Sequence, residues 1–119
     1  MDHGAHARAA AARVIDAVLH QGRSLKGELS TALADIDDVR DRALVEAMAF
    51  AAVRHQGRYA VALSSWMPRP LGSRDAPLRA LLYAGFAQLD PMALPAHAAL
   101  NSTVDAARLI GRASCRERV

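Results

Sequence analysis

The sequence predicts an all-α protein, and composition and periodicity both lead to that fold class. Hydrophobic residues make up 52% of the 119 positions, but aromatic residues make up only 4%. Alanine supplies much of the apolar total, and alanine favours helices over strands. Apolar residues recur at helical spacing almost everywhere, whereas few stretches alternate with period two. A chain of this length suits one domain with a single modest core.

The first two helices are predicted from their apolar spacing and their ends. Residues 5–20 form the first helix, and Gly22 is its C-terminal stop. Ser24 is expected to cap the second helix, because its hydroxyl can accept a hydrogen bond from a free amide of the first turn. That helix repeats leucine at positions i, i+4 and i+8, which are Leu25, Leu29 and Leu33.

The third predicted helix is the longest, and an aspartate, Asp37 or Asp38, is expected to cap its positive end. Its predicted buried face is apolar, and its arginines are expected to point toward solvent. The buried face consists of Leu44, Ala47, Met48, Ala51 and Ala52, and the arginines are Arg40, Arg42 and Arg54.

A fourth helix is predicted to follow a break at Gly57 and to end before Pro68 and Pro70. The loop that follows is the clearest linker in the chain. Asp75 and Pro77 then start the fifth helix, because an acceptor followed by proline in the first turn is typical of a helix start.

The fifth and sixth helices are predicted to meet across a proline-marked turn. Gly85 lies in the middle of the fifth helix, where glycine lowers stability, so its lack of a side chain is expected to allow the sixth helix to approach closely. Pro95 opens the sixth helix, which is expected to end near Gly111. The predicted buried residues are Leu78, Leu81, Leu82, Gly85 and Leu89 in the fifth helix and Ala98, Leu100, Val104 and Ala107 in the sixth.

Several of these residues form a pattern that resembles a known family. The most specific stretch is Pro-Ala-His-Ala-Ala-Leu-Asn-x-x-Val-Asp-x-Ala-Arg at residues 95–108, preceded by Leu-Arg-x-Leu-Leu-x-x-Gly-x-x-Gln-Leu at residues 78–89. Asp-Arg-Ala at residues 41–43 and Arg-x-x-Ala-x-x-Val-Ile at residues 8–15 also fit. Over residues 7–110 the chain resembles the NusB family of all-α RNA-binding domains. Within that family it is most similar to the N-terminal domain of the RsmB (Sun/Fmu) family of 16S rRNA cytosine-C5 methyltransferases.

The chain also departs from this pattern. After Gly111 the family pattern continues into a final helix ending Asn-x-x-Leu-Arg, whereas this chain reads Arg-Ala-Ser-Cys-Arg-Glu-Arg-Val. The resemblance therefore implies that residues 1–111 form a compact NusB-like bundle whose last helix is missing. Residues 112–119 are expected to be an atypical tail produced by truncation or a frame disruption. The sequence has neither a Pro-Cys catalytic loop nor a Gly-rich S-adenosylmethionine site, so no catalysis and no cofactor are expected of it.

Six arginines carry the RNA-binding prediction, because a planar guanidinium pairs with phosphate and stacks on bases. The alternative is a solvated helix face with internal ion pairs. Arg42 and Glu46 have the spacing for such a pair, whereas Arg54 and Arg58 place like charges one turn apart, which favours an anion beside them. The predicted RNA-binding residues are Arg8, Arg13, Arg40, Arg42, Arg54 and Arg58.

Two polar residues of the sixth helix are predicted to be structural. Asn101 follows apolar residues, so its amide is expected to be buried and to satisfy backbone groups of a neighbouring helix end. His97 lies in the first turn, where capping or packing is expected. The alternative for both is contact with RNA, and for Asn101 also contact with a partner. Trp66 can stack on a base, although a lone tryptophan at the end of an apolar stripe also suits the edge of a core.

Other chemistries have little support. The five histidines show no metal-ligand spacing, so no metal site is expected. The single cysteine, Cys115, excludes an intrachain disulfide, suits a reducing cytoplasm and has no paired base that would make it a nucleophile. Charges interrupt the apolar N-terminal stretch, which excludes a signal peptide or membrane span there, so a cytoplasmic location is expected.

The sequence therefore predicts an RNA-binding domain that docks 16S rRNA through arginines, with catalysis in a separate domain. The alternative is a transcription antitermination or protein-interaction module. In that case the missing helix would leave an apolar groove for a homodimer or a protein partner. A nonfunctional fragment is the third interpretation.

Overall fold

A computed structural model of the chain describes residues 3–67, 69 and 71–118, with all of their side chains except those of residues 3, 73 and 111–118. Every regular element in this part of the chain is helical, which confirms the all-α prediction. The elements are α1 (His3–Leu19), α2 (Leu25–Ala34), α3 (Val39–Arg54), α4 (Gln56–Trp66), a 3₁₀ turn (Ser73–Asp75), α5 (Ala76–Leu89) and α6 (Ala96–Arg118).

The central element is α1, which packs against α2, α3, α5 and α6. Its alanines make this possible, because a side chain of one methyl group lets neighbouring helices approach closely on several sides. Ala9 and Ala11 have no exposed surface, and Ile15 is the largest fully buried apolar residue of the helix. The core around α1 is completed by Val45 and Met48 of α3, which are also fully buried.

The C-terminal end of α1 and the N-terminal ends of α2 and α3 follow the sequence predictions. Gly22 has a φ of 71°, and this left-handed conformation turns the chain so that the Arg23 amide donates to the Ala17 carbonyl at 3.0 Å. Ser24 accepts from the Gly27 amide, and Asp38 accepts from two amides at the start of α3. These local hydrogen bonds confirm both predicted caps.

Other helix ends differ from the predictions. The break after α3 lies at His55, not at Gly57, which is inside α4. Asp75 occupies the N-cap position of α5, but its side chain makes no capping hydrogen bond. The prediction that the sixth helix ends near Gly111 is wrong: α6 continues to Arg118, because the arginines, alanine and glutamate beyond that glycine favour helix. Pro68 and Pro70 lie outside the described residues.

The predicted buried face of α3 is largely right. Met48, Ala51 and Ala52 are buried as expected, but Ala47 is exposed and Val45 is buried in its place. The sequence leaves the buried face of α3 ambiguous at Ala47, since an alanine fits either face of a helix.

The predicted buried faces of α5 and α6 are mostly wrong, because alanines occupy the interior in place of leucines. In α5 the buried residues include Ala80, Ala84 and Ala87, and in α6 they are Ala99 and Ala106. Leu81 is buried as predicted. The large apolar residues that remain exposed are Leu78, Leu89, Leu100 and Val104, whereas Leu82, Gly85, Ala98 and Ala107 are half-buried.

Gly85 does lie against α6, as predicted, but a glycine is not required there. A methyl group added at Gly85 would meet the Thr103 Cγ2 at 3.6 Å, which is an ordinary van der Waals distance. The close approach of α5 and α6 therefore comes from the buried alanines of both helices.

Candidate functional site

Arg8 and Gln88 form a polar network inside the bundle. The Arg8 side chain is only 7% exposed, and its Nε donates to Gln88 Oε1. Gln88 is fully buried, and its Nε2 donates to the Thr103 hydroxyl at 3.0 Å and to the Ala84 carbonyl at 3.1 Å. The network therefore connects α1, α5 and α6. Arg8 is predicted to bind RNA, but burial and these partners keep most of its guanidinium away from solvent, whereas a contact with RNA requires an exposed side chain.

Asn101 does not have the buried role predicted for it. Its side chain is exposed, because it lies about 200° around α6 from the buried Ala99. His97 is exposed in the first turn of the same helix. The buried amide of this region is Gln88, which could have been found by the same argument, since it follows an apolar run in α5.

Arg42 also has a structural position. Its Nη1 donates to the Leu33 carbonyl and, at 3.0 Å, to the Ile36 carbonyl, so the guanidinium caps the C-terminal end of α2. A cation at this end of a helix can donate to free carbonyls and interacts favourably with the helix dipole. The prediction that Arg42 points toward solvent is therefore wrong, and its predicted contact with RNA would have to compete with these two hydrogen bonds.

Arg54 and Arg58 lie on either side of the break between α3 and α4, so they are not one turn apart on a single helix as predicted. Arg58 pairs with Asp90 at 3.1 Å, and its guanidinium carbon lies 5.7 Å from the centre of the Tyr59 ring. Both members of the ion pair are exposed, so the pair holds Arg58 only weakly. Arg54 is exposed and, within the described part of the chain, forms no ion pair.

Tyr59, next to Arg58, connects α4 to the C-terminal end of α5. Its ring is buried against Tyr83 and Phe86, and its hydroxyl donates to the Asp90 carbonyl. Burial raises the pKa of the Tyr59 hydroxyl above its usual value of 10.0, although the neighbouring Arg58 acts in the opposite direction. Trp66 contacts Phe86 edge to face but remains 71% exposed, so it lies outside the core.

One exposed surface combines arginines with an aromatic ring, and we call it the α3 outer face. Arg40 and Arg54 stand at opposite ends of α3, about 21 Å apart along the axis and about 40° apart around it. Phe50 lies between them and is 55% exposed. The members of the α3 outer face are Arg40, Ala43, Ala47, Phe50 and Arg54, all exposed.

A second exposed surface is apolar, and we call it the α5–α6 groove. Thr103 lies against Gly85, which places the neighbouring flanks of the two antiparallel helices side by side. Leucines at four- and seven-residue spacing follow the flank of α5, and Leu100 and Val104 follow that of α6. The groove therefore consists of Leu78, Leu82, Leu89, Leu100 and Val104, of which Leu100 is the most exposed at 64%.

The remaining expectations concern metals, membranes and Cys115. No group of three or more metal-ligating side chains comes together among the described residues. In the same part of the chain, no helix has both the length and the apolar character needed to cross a membrane. The Cys115 side chain lies outside the described residues.

Comparison with known proteins decides the family. The model of the NusB family matches residues 5–117. The chain belongs to the NusB family. It is 60% identical over 109 residues to "Ribosomal RNA small subunit methyltransferase B" of Xanthomonas campestris pv. campestris and 55% identical over 111 residues to the protein of that name in Xylella fastidiosa strain Temecula1. A protein of the same name in Pseudomonas putida is 39% identical over 100 residues.

These similarities cover most of this chain but a small part of each relative. The matches span 92%, 93% and 84% of the chain, and 25%, 26% and 23% of the respective relatives. The chain thus corresponds to about a quarter of the length of the relatives it matches. No solved structure matches the chain.

Proposed function

We propose that this NusB-family domain binds ribosomal RNA through the α3 outer face, as the RNA-docking part of an rRNA cytosine-C5 methyltransferase. The supporting observation is the arrangement of Arg40 and Arg54 at the two ends of α3 with Phe50 exposed between them. Arginines at both ends can contact phosphates, and an exposed ring between them can stack an unpaired base. Glu46, an exposed acidic residue of the helix, lies about 120° around the axis from Arg40.

The six predicted RNA-binding residues thus fall into two groups. Arg8 and Arg42 hold the fold. Arg40 and Arg54 belong to the proposed interface, and Arg58 lies beside Arg54 in a weak pair that a phosphate could replace. Arg13 is exposed on α1 and stays a proposed contact.

In this proposal, the domain positions RNA and does not transfer methyl groups by itself. The names of the relatives refer to a ribosomal RNA methyltransferase of which this chain matches about a quarter, and catalysis is assigned to the remaining length. We further propose that residues 1–111 constitute the RNA-docking domain, with residues 112–119 as a tail.

A salt titration tests the RNA proposal. The affinity of the purified chain for a labelled small-subunit rRNA hairpin should fall steeply with salt, since phosphate contacts release counterions. The double variant Arg40→Gln/Arg54→Gln should bind more weakly and reduce the slope of log affinity against log salt by about 2. Arg108→Gln is the matched control, because Arg108 lies on α6, which packs against neither α3 nor α4 in the described structure. An unchanged slope in the double variant would reject the α3 outer face.

A second candidate function is binding of a protein, and the α5–α6 groove favours it. Four large apolar side chains with 43% to 64% exposure lie together there, and such patches on soluble domains often mark interfaces. In this proposal, the groove binds a second copy of the chain or another protein.

Sedimentation at several concentrations tests for the homodimer. Self-association that disappears in Leu100→Asp, with RNA binding retained, would support the groove as an interface. A chain that stays monomeric at all concentrations would reject the homodimer. If the chain binds neither RNA nor itself, the interpretation as a nonfunctional fragment gains support.

A further inference from the structure

A cleft between α1, α4 and α5 is lined by a carboxylate, one oxygen of which has no hydrogen-bond partner among the described residues. It encloses about 200 Å³ and is lined by the last turn of α1, the start of α4 and the first two turns of α5. Asp16 Oδ1 is shielded from solvent and has no hydrogen-bond donor among the described residues. An unsatisfied buried carboxylate oxygen is unfavourable, and such atoms are rare in folded proteins. The other side chains that matter here are His20, Gln56, Arg79 and Tyr83.

These side chains are of the types that recognise an unstacked base. His20 and Tyr83 are aromatic, and the guanidinium of Arg79 supplies a planar group and a positive charge. Arg79 is held in place because its Nη2 donates to the Leu71 carbonyl at 2.6 Å. Gln56 donates its Nε2 to the Val53 carbonyl at 3.1 Å, which leaves its Oε1 as an acceptor at the rim.

The size of the cleft limits its occupant. Pockets for whole small molecules usually enclose roughly 300–1,000 Å³, whereas this cleft encloses about 200 Å³. It can hold one ring system but not a complete nucleotide. A base inserted here would therefore leave its ribose and phosphate outside.

The position of the cleft connects it to the proposed RNA surface. Gln56 is the first residue of α4 and follows Arg54 by two residues, so the cleft opens near one end of the α3 outer face. A strand that contacts Arg54 through phosphate can direct the next base into the cleft without crossing the molecule.

We propose that this Asp16 cleft binds the guanine base of an unpaired nucleotide, an inference that rests on the proposed RNA-binding function. Guanine is chosen because its Watson–Crick edge offers two adjacent donors, N1–H and the N2 amine, to the two oxygens of one carboxylate. Adenine and cytosine each offer one amine on that edge. Binding in this way requires the Asp16 carboxylate to rotate so that both of its oxygens face the cleft, and Arg79, which lines the same cleft, is the donor for the guanine O6.

An NMR titration with free nucleotides tests this proposal. Guanosine 5′-monophosphate added to ¹⁵N-labelled protein should shift backbone amides of residues 15–20, Gln56 and residues 79–83. Inosine 5′-monophosphate, which lacks the N2 amine, and adenosine and cytidine 5′-monophosphates should bind roughly tenfold more weakly, the discrimination expected for one bidentate contact. Equal shifts from all four nucleotides, or from inorganic phosphate alone, would overturn the guanine assignment.

Two variants test whether guanosine monophosphate binds in the Asp16 cleft. Asp16→Asn should lower the affinity for guanosine monophosphate about tenfold or more, and Gln56→Ala, at an exposed position, should lower it less without affecting the fold. Arg108→Gln should leave it unchanged. The rRNA salt titration on the same samples separates the two proposals. If wild-type protein binds RNA but guanosine monophosphate does not affect the cleft, only the base-binding inference fails. If RNA binding is absent as well, the proposed function fails.

Discussion

The Arg8–Gln88 network and the α3 outer face use the same residue type for opposite purposes. Arg8 is buried between α1 and α5, where Gln88 satisfies it, whereas Arg54 is exposed at the end of α3 and forms no ion pair among the described residues. Whether an arginine of this domain stabilises the fold or can bind a ligand thus depends on whether another helix packs over its side chain. The comparison predicts that stability and RNA affinity depend on different arginines.

The largest effect on stability should come from breaking the interior network. Gln88→Leu removes one acceptor of Arg8 and the donor to Thr103, so we expect a loss of about 2–3 kcal/mol in the free energy of unfolding. Urea denaturation measures this loss. The double variant Arg8→Met/Gln88→Leu should recover about half of it, because it removes the buried charge together with the acceptor that the charge loses in the single variant.

A matched control for the network is Arg13→Met, on the same helix but exposed. We expect it to change the free energy of unfolding by less than about 0.5 kcal/mol. If Arg13→Met and Arg8→Met had the same cost, burial would not distinguish the two arginines and the comparison would fail.

A smaller loss is expected at the cap of α2. Arg42→Met removes donors to the Leu33 and Ile36 carbonyls, which should cost about 1–2 kcal/mol in urea denaturation. Arg40→Met, two residues earlier and exposed, is the control and should be nearly neutral. A neutral Arg42→Met would show that Arg42 is free to bind RNA after all.

Tyr59 should make stability depend on alkaline pH. Because burial raises its pKa in the folded state above the unfolded value, its contribution is complete below pH about 10 and is lost as pH rises through the folded pKa. Tyr59→Phe should cost about 1 kcal/mol at neutral pH through the lost bond to the Asp90 carbonyl. The variant should also lose less stability than the wild type as the pH rises above about 10. Parallel pH profiles for the two proteins would contradict the raised pKa.

The smallest effect on stability is expected on the α3 outer face. Phe50→Ala, at a position that is 55% exposed, should change the free energy of unfolding by less than about 0.5 kcal/mol. If a base stacks there, RNA affinity should fall by about 1–3 kcal/mol. Leu100→Ala, exposed on α6, which packs against neither α3 nor α4 in the described structure, is the control for binding. A variant with normal RNA affinity would exclude stacking on Phe50.

Local chemistry explains what could be predicted of the fold. Gly22, Ser24 and Asp38 act within one helical turn of their own positions, so the helix ends that depend on them are visible in the sequence. The buried faces of α5 and α6 cannot be identified in the sequence, because both helices carry alanines and leucines on several sides. The sequence therefore indicates Asn101 as the buried amide, whereas the structure buries Gln88. Both amides follow apolar residues along the chain.

The candidate site was predictable only in part for the same reason. The residue type singles out arginine as the proposed phosphate ligand, and Arg40 and Arg54 are exposed, as that proposal requires. Nothing in the spacing distinguishes them from Arg8, whose partner lies 80 residues away in sequence. The Asp16 cleft was not predicted, because it forms only where the ends of three helices meet.

The sequence by itself determined the all-α class, the first helix caps and the family resemblance, because propensity, capping and motif residues act over short spans. The tertiary structure decided which leucines form the α5–α6 groove, which arginines reach solvent and where a cleft opens. Those outcomes depend on which helix packs over each side chain. Because alanines fit on many helix faces, that packing is determined only when the whole bundle forms.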